Sequence, residues 1–138
     1  MSAASNYTEN KVLDHVLATT QFAFNTGDVY LALFTNTSGN AATNLEAGTI
    51  TDEVTTSGSQ YGRQTIAFGS ASGGSASNSA TVTFSAATSN WGSITHVAIM
   101  DASTGGNVLF WGAVTTAKTI ESGDTFQVSS GNLSISLA

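Results

Sequence analysis

Val29-Tyr30-Leu31-Ala32-Leu33-Phe34-Thr35 is the stretch that decides the architecture. Successive side chains of a strand point to opposite faces, so a half-exposed strand alternates apolar with polar residues. Here neither set is polar: Val29, Leu31 and Leu33 form one, Tyr30, Ala32 and Phe34 the other. Such a strand is either central in its sheet or covered on both sides, and the helix is expected to lie over it.

Working outward from it, the chain before Asp28 holds the single predicted helix, within residues 5–18. Asn6 followed three residues later by Glu9 has capping-box spacing, which makes Asn6 the expected cap. Val12, Leu13, Val16 and Leu17 then draw one apolar stripe, with Lys11, Asp14 and His15 on the other side. The stripe either covers one end of the sheet or serves, with Tyr7 and Lys11 and the short arm Met1–Ser5, as an interface to another protein.

After the central strand come short segments with strand character: Arg63–Phe68, Thr81–Phe84, Ile94–Met100, Asn107–Val114, Thr125–Val128 and Asn132–Leu137. Gly105-Gly106-Asn107 and Glu121-Ser122-Gly123-Asp124 mark tight turns between them. Asn36–Ser59 reads as a long polar loop anchored only by Leu45, Ile50 and Val54, and Ser70–Ala80 as a second loop. Without proline to stiffen it, the first loop is expected to gain order beside a neighbouring subunit. The expected fold is mostly β: one antiparallel β-sandwich or jelly-roll-like domain over 28–138 with an N-terminal helix, making 1–138 a single domain.

Composition removes several function classes. Of 138 residues only 9% are charged, with a net charge of −6. Lys11, Arg63 and Lys118 are the only cations, so no basic stripe exists to displace counterions from nucleic acid. The absence of cysteine excludes disulfides, thiol catalysis and Cys-based metal sites. Met1–Asn10 has no export-signal pattern, and no apolar run approaches the ~20 residues that span a bilayer, so no membrane partner is expected. An exterior of Ser, Thr, Asn and Gln suits copies that pack side by side, since strongly charged copies repel one another; the same composition follows equally from the strand preference of Thr and the loop preference of Ser, Asn and Gly.

The inventory for chemistry is equally thin. There is no G-x-S-x-G, no P-loop and no G-x-G-x-x-G after a strand. His15 falls on the polar side of the helix, and His96 sits mid-strand with no acidic neighbour in sequence. Asp101, Ser103 and Gly105 have the spacing of a calcium loop, yet Gly112 occupies the position that needs a bidentate Glu. The neighbours Asp52 and Glu53 would point to opposite faces of a strand. No catalytic residue, metal site or cofactor is expected. Trp91 and Trp111 are the candidates for a sugar-stacking platform, against the alternative that both belong to the core.

Six stretches carry a family resemblance: Glu9-Asn10-Lys11-Val12-Leu13-Asp14-His15-Val16-Leu17, Val29–Thr35, Tyr61-Gly62-Arg63-Gln64, Trp91-Gly92-Ser93-Ile94-Thr95-His96-Val97-Ala98-Ile99, Thr104-Gly105-Gly106-Asn107-Val108-Leu109 and Lys118-Thr119-Ile120-Glu121-Ser122-Gly123-Asp124. With these the chain resembles small virion proteins of tailed phages of cyanobacteria and other marine bacteria, labelled head-decoration or tail-fibre-like. Such relatives tend to carry proline in the loop after the first strand, which this chain lacks.

The resemblance implies a structural role in the particle. Chain length favours a decoration or cement protein on the head, bound to the major capsid protein and to its own copies, with a homotrimer expected. The alternative is a tail-fibre or receptor-binding module, for which Trp91 and Trp111 would meet a glycan. An enzyme acting on host polysaccharide is the weakest reading.

Overall fold

The computed structural model describes residues 3–20 and 27–137; Met1 and Ser2 of the predicted arm lie outside the described residues. The central sheet is five-stranded, in the order β1 (Ala3–Ala4), β7 (Val108–Ile120), β6 (Gly92–Met100), β2 (Val29–Phe34) and β3 (Gln64–Ile66), and every pair is antiparallel. The stretch VYLALF is β2. It pairs with β6 from Tyr30↔Met100 to Phe34↔His96 and with β3 from Val29↔Ile66 to Leu31↔Gln64.

The period of two along β2 separates two cores. Leu31 and Leu33 point into the larger one, with Ile94, Ile99, Phe84, Trp91, Ile120 and Phe126. Its cover comes from two small two-stranded sheets, β4 (Ser75–Ser77) with β9 (Ser134–Ser136) and β5 (Val82–Thr83) with β8 (Gln127–Val128). Ala32 and Phe34 point the other way, with Leu45, Ala98, Met100 and Val108. The molecule is mostly β and sandwich-like, with a helix, α1 (Asn6–Val16), at its N-terminus.

The helix that covers β2 is a different one from that expected. It is α2 (Ala41–Glu46), inside the segment read as a loop, and its Leu45 fills the smaller core. The segment is ordered from within. Asp52 accepts from the Ser38 amide at 2.9 Å and the Ser38 hydroxyl at 2.5 Å, while Val54 N–H bonds the Leu33 carbonyl at 3.1 Å. Its anchors are the predicted Leu45, Ile50 and Val54. In the second predicted loop, Ser75–Ser77 forms β4, turned back by Gly73 and Gly74.

Helix α1 starts one residue earlier than its capping-box spacing predicts. Ser5 is the cap: its hydroxyl accepts from Thr8 N–H and donates to the Val108 carbonyl, and its own N–H bonds Leu109 O at 3.1 Å. These contacts dock the helix beside β7 and β1, away from β2. Within β7 the register passes from Lys118 to Ala113 while β6 advances only from Ile94 to His96. The residues between, Val114 to Ala117, bulge opposite Thr95 alone.

Candidate functional site

Ser5 and Thr8 set the phase of α1: Thr8 is buried against the sheet, Val12 is half-buried, and the opposite side of the helix faces outward. That outward side holds most of the predicted stripe. Leu13 is 55% exposed, Val16 71% and Leu17 66%. The expectation that the stripe covers an end of the sheet is therefore corrected. Backbone docking through Ser5, and not the apolar period, turned the helix. Tyr7 and Lys11 are half-buried one turn apart, with the Lys11 ammonium 5.9 Å from the Tyr7 ring centre. Three apolar side chains at i, i+3 and i+4 thus form a knob in solvent, flanked by a cation–π pair.

The two tryptophans cannot form one platform. Trp91 is 5% exposed, lies in the larger core, and spends its indole N–H on the Ser59 carbonyl at 2.8 Å. Tyr61 meets it edge-on at 5.5 Å and Phe84 at 6.3 Å. Trp111 lies across the sheet beside the smaller core, half-buried, donating to Glu46 Oε2 at 2.8 Å. Its ring stands 6.2 Å from that of His96. Trp91 offers no face to a ligand, whereas Trp111 keeps part of one.

Polar side chains that looked available in sequence are committed internally. Glu53 receives Arg63 Nε and Nη2 at 2.7 Å each and the Tyr61 hydroxyl at 2.9 Å. Arg63 Nη1 donates at 2.7 Å to the carbonyls of Ala102 and Gly105, so a guanidinium occupies the loop whose spacing suggested calcium. Asp101 in that loop accepts from the Asn107 amide at 2.7 Å and its side chain at 2.8 Å. Asp52 turns toward Ser38 while Glu53 is held by Arg63 and Tyr61, so the adjacent carboxylates have different partners. Among the described residues no group of three or more His, Asp or Glu could hold a metal ion, and no helix is long and apolar enough to cross a membrane.

Electrostatics follow these commitments. The Ser38 hydroxyl is the main group holding the Asp52 carboxyl below its ordinary value, against the opposing effect of burial. Burial, followed by the Glu53 charge, pushes the Tyr61 phenol far up. Burial would lower Arg63, but the Glu53 carboxylate overrides it and keeps the guanidinium above its usual value. His96, hydrogen-bonded through Nδ1 to the Thr95 hydroxyl at 2.9 Å, is lowered by burial with Asp52 opposing.

Sequence reasoning missed the Arg63–Glu53–Tyr61 network. One signal could have found it: with so few cations, an arginine amid strand residues is worth more as a buried partner than as surface charge.

On the larger-core face a half-open groove of about 190 Å³ runs between β6–β7 and the C-terminal strand. Val97, Phe110, Val114, Phe126, Leu133 and Ile135 line it, and no charged side chain does. The module thus ties many of its polar groups inward and leaves a groove with no charged lining and three exposed apolar side chains on α1. Residues 3–136 match the family described as Podophage GP4 fiber I protein gp80, and the chain belongs to that family. It is accordingly a phage virion structural protein of fibre-like type. No curated protein matches the chain.

Proposed function

We propose that this chain is a subunit of a phage tail fibre, acting by binding to protein neighbours and not by catalysis. The observation that carries the reading is the family match over 3–136, which takes in the whole β module and α1. It supports a fibre over the head decoration that chain length suggested. The outward knob of Leu13, Val16 and Leu17 supplies a contact surface, since exposed clustered apolar side chains mark interaction sites. Its partners are copies of itself and adjoining fibre or tail proteins. If a host glycan is also bound, Trp111 is the tryptophan with a face to offer, and Trp91 takes no part.

A density map of the particle tests the location. A fibre subunit appears in few copies at the tail; density for this domain across the head lattice, in numbers near those of the major capsid protein, would return the cement role. Release of reducing ends from host polysaccharide by the purified chain would overturn the non-catalytic reading.

A further inference from the structure

A second groove, open and of about 500 Å³, lies between residues 56–64 and 85–88. Its volume falls within the ~300–1,000 Å³ of small-ligand sites. Thr56, Gln60, Gln64, Ser85 and Thr88 line it, and no charged side chain does. Among the described residues the Gln60 amide and the Thr56 and Ser85 hydroxyls have no hydrogen-bond partner in the chain. Gln64 Nε2 donates to the Gly62 carbonyl at 2.9 Å, which fixes that side chain and leaves its Oε1 free to accept. The single aromatic of the lining, Tyr61, is 5% exposed, and its hydroxyl is already bonded to Glu53 and Leu33.

Gln60 is held in this groove at a φ of 61°, a region that side chains other than glycine rarely adopt. Ala18 shares that region at 59°, but it follows the last turn of α1, where a left-handed residue is the ordinary ending of a helix. Gln60 ends no helix. Its conformation is imposed by its neighbours: the buried Ser59 hydroxyl donates to the Thr55 carbonyl and accepts the Tyr61 N–H at 3.2 Å. The Ser59 carbonyl accepts the Trp91 indole at 2.8 Å and the Thr88 N–H at 3.2 Å, and the Thr88 hydroxyl bonds the Gly58 carbonyl at 3.1 Å. Glycine meets the same need two residues earlier, at Gly58. A glutamine at 60 adds only what its exposed amide can bind, and strained non-glycine residues of this kind cluster at ligand sites.

We infer that this groove binds a short neutral saccharide, with the Gln60 and Gln64 amides and the Thr56, Ser85 and Thr88 hydroxyls meeting its hydroxyl groups. A sugar hydroxyl both donates and accepts, and an amide presents one donor group and one acceptor on adjacent atoms. Acidic or basic ligands find no counter-charge in the lining, and a peptide finds no apolar pocket for its side chains. The tethers around Ser59 hold the groups in place before binding, which lowers the entropic cost. None of the lining belongs to the smaller core, where Trp111 lies. The inference deepens the fibre reading by giving it a ligand class and a site. It is tested on the purified chain, so its failure is separate from a failure of the tail location, which the particle map reads.

The test is a titration of the full chain, followed by NMR, with trisaccharides of glucose, galactose, mannose, rhamnose and N-acetylglucosamine, and with a uronic acid trisaccharide as the charged member. At least one neutral trisaccharide should shift the side-chain amide resonances of Gln60 and Gln64. Gln60→Ala and Gln64→Ala should each weaken that binding about tenfold, as for loss of one hydrogen bond. Gln127→Ala, which removes an exposed amide outside the groove, should leave it unchanged. Gln60→Gly, which accommodates the positive φ, should melt above Gln60→Ala and bind as weakly. The inference is overturned if no neutral trisaccharide moves those resonances, if only the uronic acid member does, or if Gln60→Gly retains full affinity. Binding lost in Trp111→Ala and kept in Gln60→Ala would also overturn it, by placing the sugar at the smaller core.

Discussion

Arg63 and Glu53 meet side-on, Nε donating to Oε1 and Nη2 to Oε2 at 2.7 Å each, with the Arg63 side chain 2% exposed and that of Glu53 15%. The pair ties three segments together. Glu53 also holds Tyr61, whose oxygen accepts from the Leu33 N–H at 3.0 Å on β2, and Arg63 holds the β6–β7 hairpin by two carbonyls. Removing one partner leaves the other charge buried and unpaired, which costs far more than the pair itself contributes.

Arg63→Met is therefore expected to destabilise the fold by about 3–5 kcal/mol. Arg63→Lys should also lose stability, since an ammonium cannot bond the carboxylate side-on and reach the hairpin carbonyls together. Urea unfolding of both, alongside Glu53→Gln, measures this. A loss below about 1 kcal/mol for Arg63→Met would place the pair among surface ion pairs of little consequence.

The tryptophans should separate in stability. Trp91→Ala empties part of the core and leaves the Ser59 carbonyl without its indole donor, for an expected loss of about 3–5 kcal/mol. Trp111→Ala, half-buried and bonded to Glu46, should fall in the ordinary range of roughly 0.5–3 kcal/mol. Denaturant midpoints of the two variants rank them, and the reverse order would contradict the core assignment.

Leu13, Val16 and Leu17 should matter to the particle and not to the isolated domain. Replacing all three with Ser is expected to shift monomer stability by no more than about 0.5 kcal/mol per site, as for surface positions. Phage carrying the triple variant should incorporate less of the protein. Thermal melts and quantitative gels of purified particles provide the two readings.

Stability should depend on pH in two separate windows. His96 has a lowered folded-state value, so the unfolded chain takes up its proton first; stability falls as pH drops below about 6.5, the ordinary imidazole value, and levels once the folded value is passed. Asp52 is also lowered, and its contribution is present above its ordinary 3.8 and lost as pH falls through the folded value. His96→Gln should flatten the first slope and Asp52→Asn the second, read from unfolding free energies across pH 3 to 8, a range of about five units around these values.

Gly105 and Gly106 should respond differently to alanine. Both have positive φ, 60° and 72°, but a Cβ on Gly106 would stand 2.4 Å from Asp101 Oδ1 and 2.7 Å from Ala102 Cβ, whereas Gly105 faces open space. Gly106→Ala is expected to cost well over about 1 kcal/mol and Gly105→Ala closer to that figure. Equal losses would mean that the Asp101 turn yields freely.

Local patterns in the chain were enough for some of this protein. Val29–Phe34 had to be a strand central in its sheet or covered on both sides because both of its alternating sets are apolar, and Gly105-Gly106-Asn107 marked a turn, where Gly105 and Gly106 do take positive φ. The Glu121–Asp124 turn was legible for the same kind of reason, and its Asp124 carboxylate caps the Glu121 N–H at 2.9 Å. Tertiary structure alone decided which body each apolar face would meet. The α1 period defined a stripe, but Ser5 bonding to β7 turned it outward; strand position told of Trp91 and Trp111 only that they were aromatic, and the sheet sent them to opposite cores. The Arg63 guanidinium found carbonyls 39 and 42 residues away. Periodicity describes one element's own faces, while burial is a relation between elements, fixed only when distant segments compete to cover the same surface.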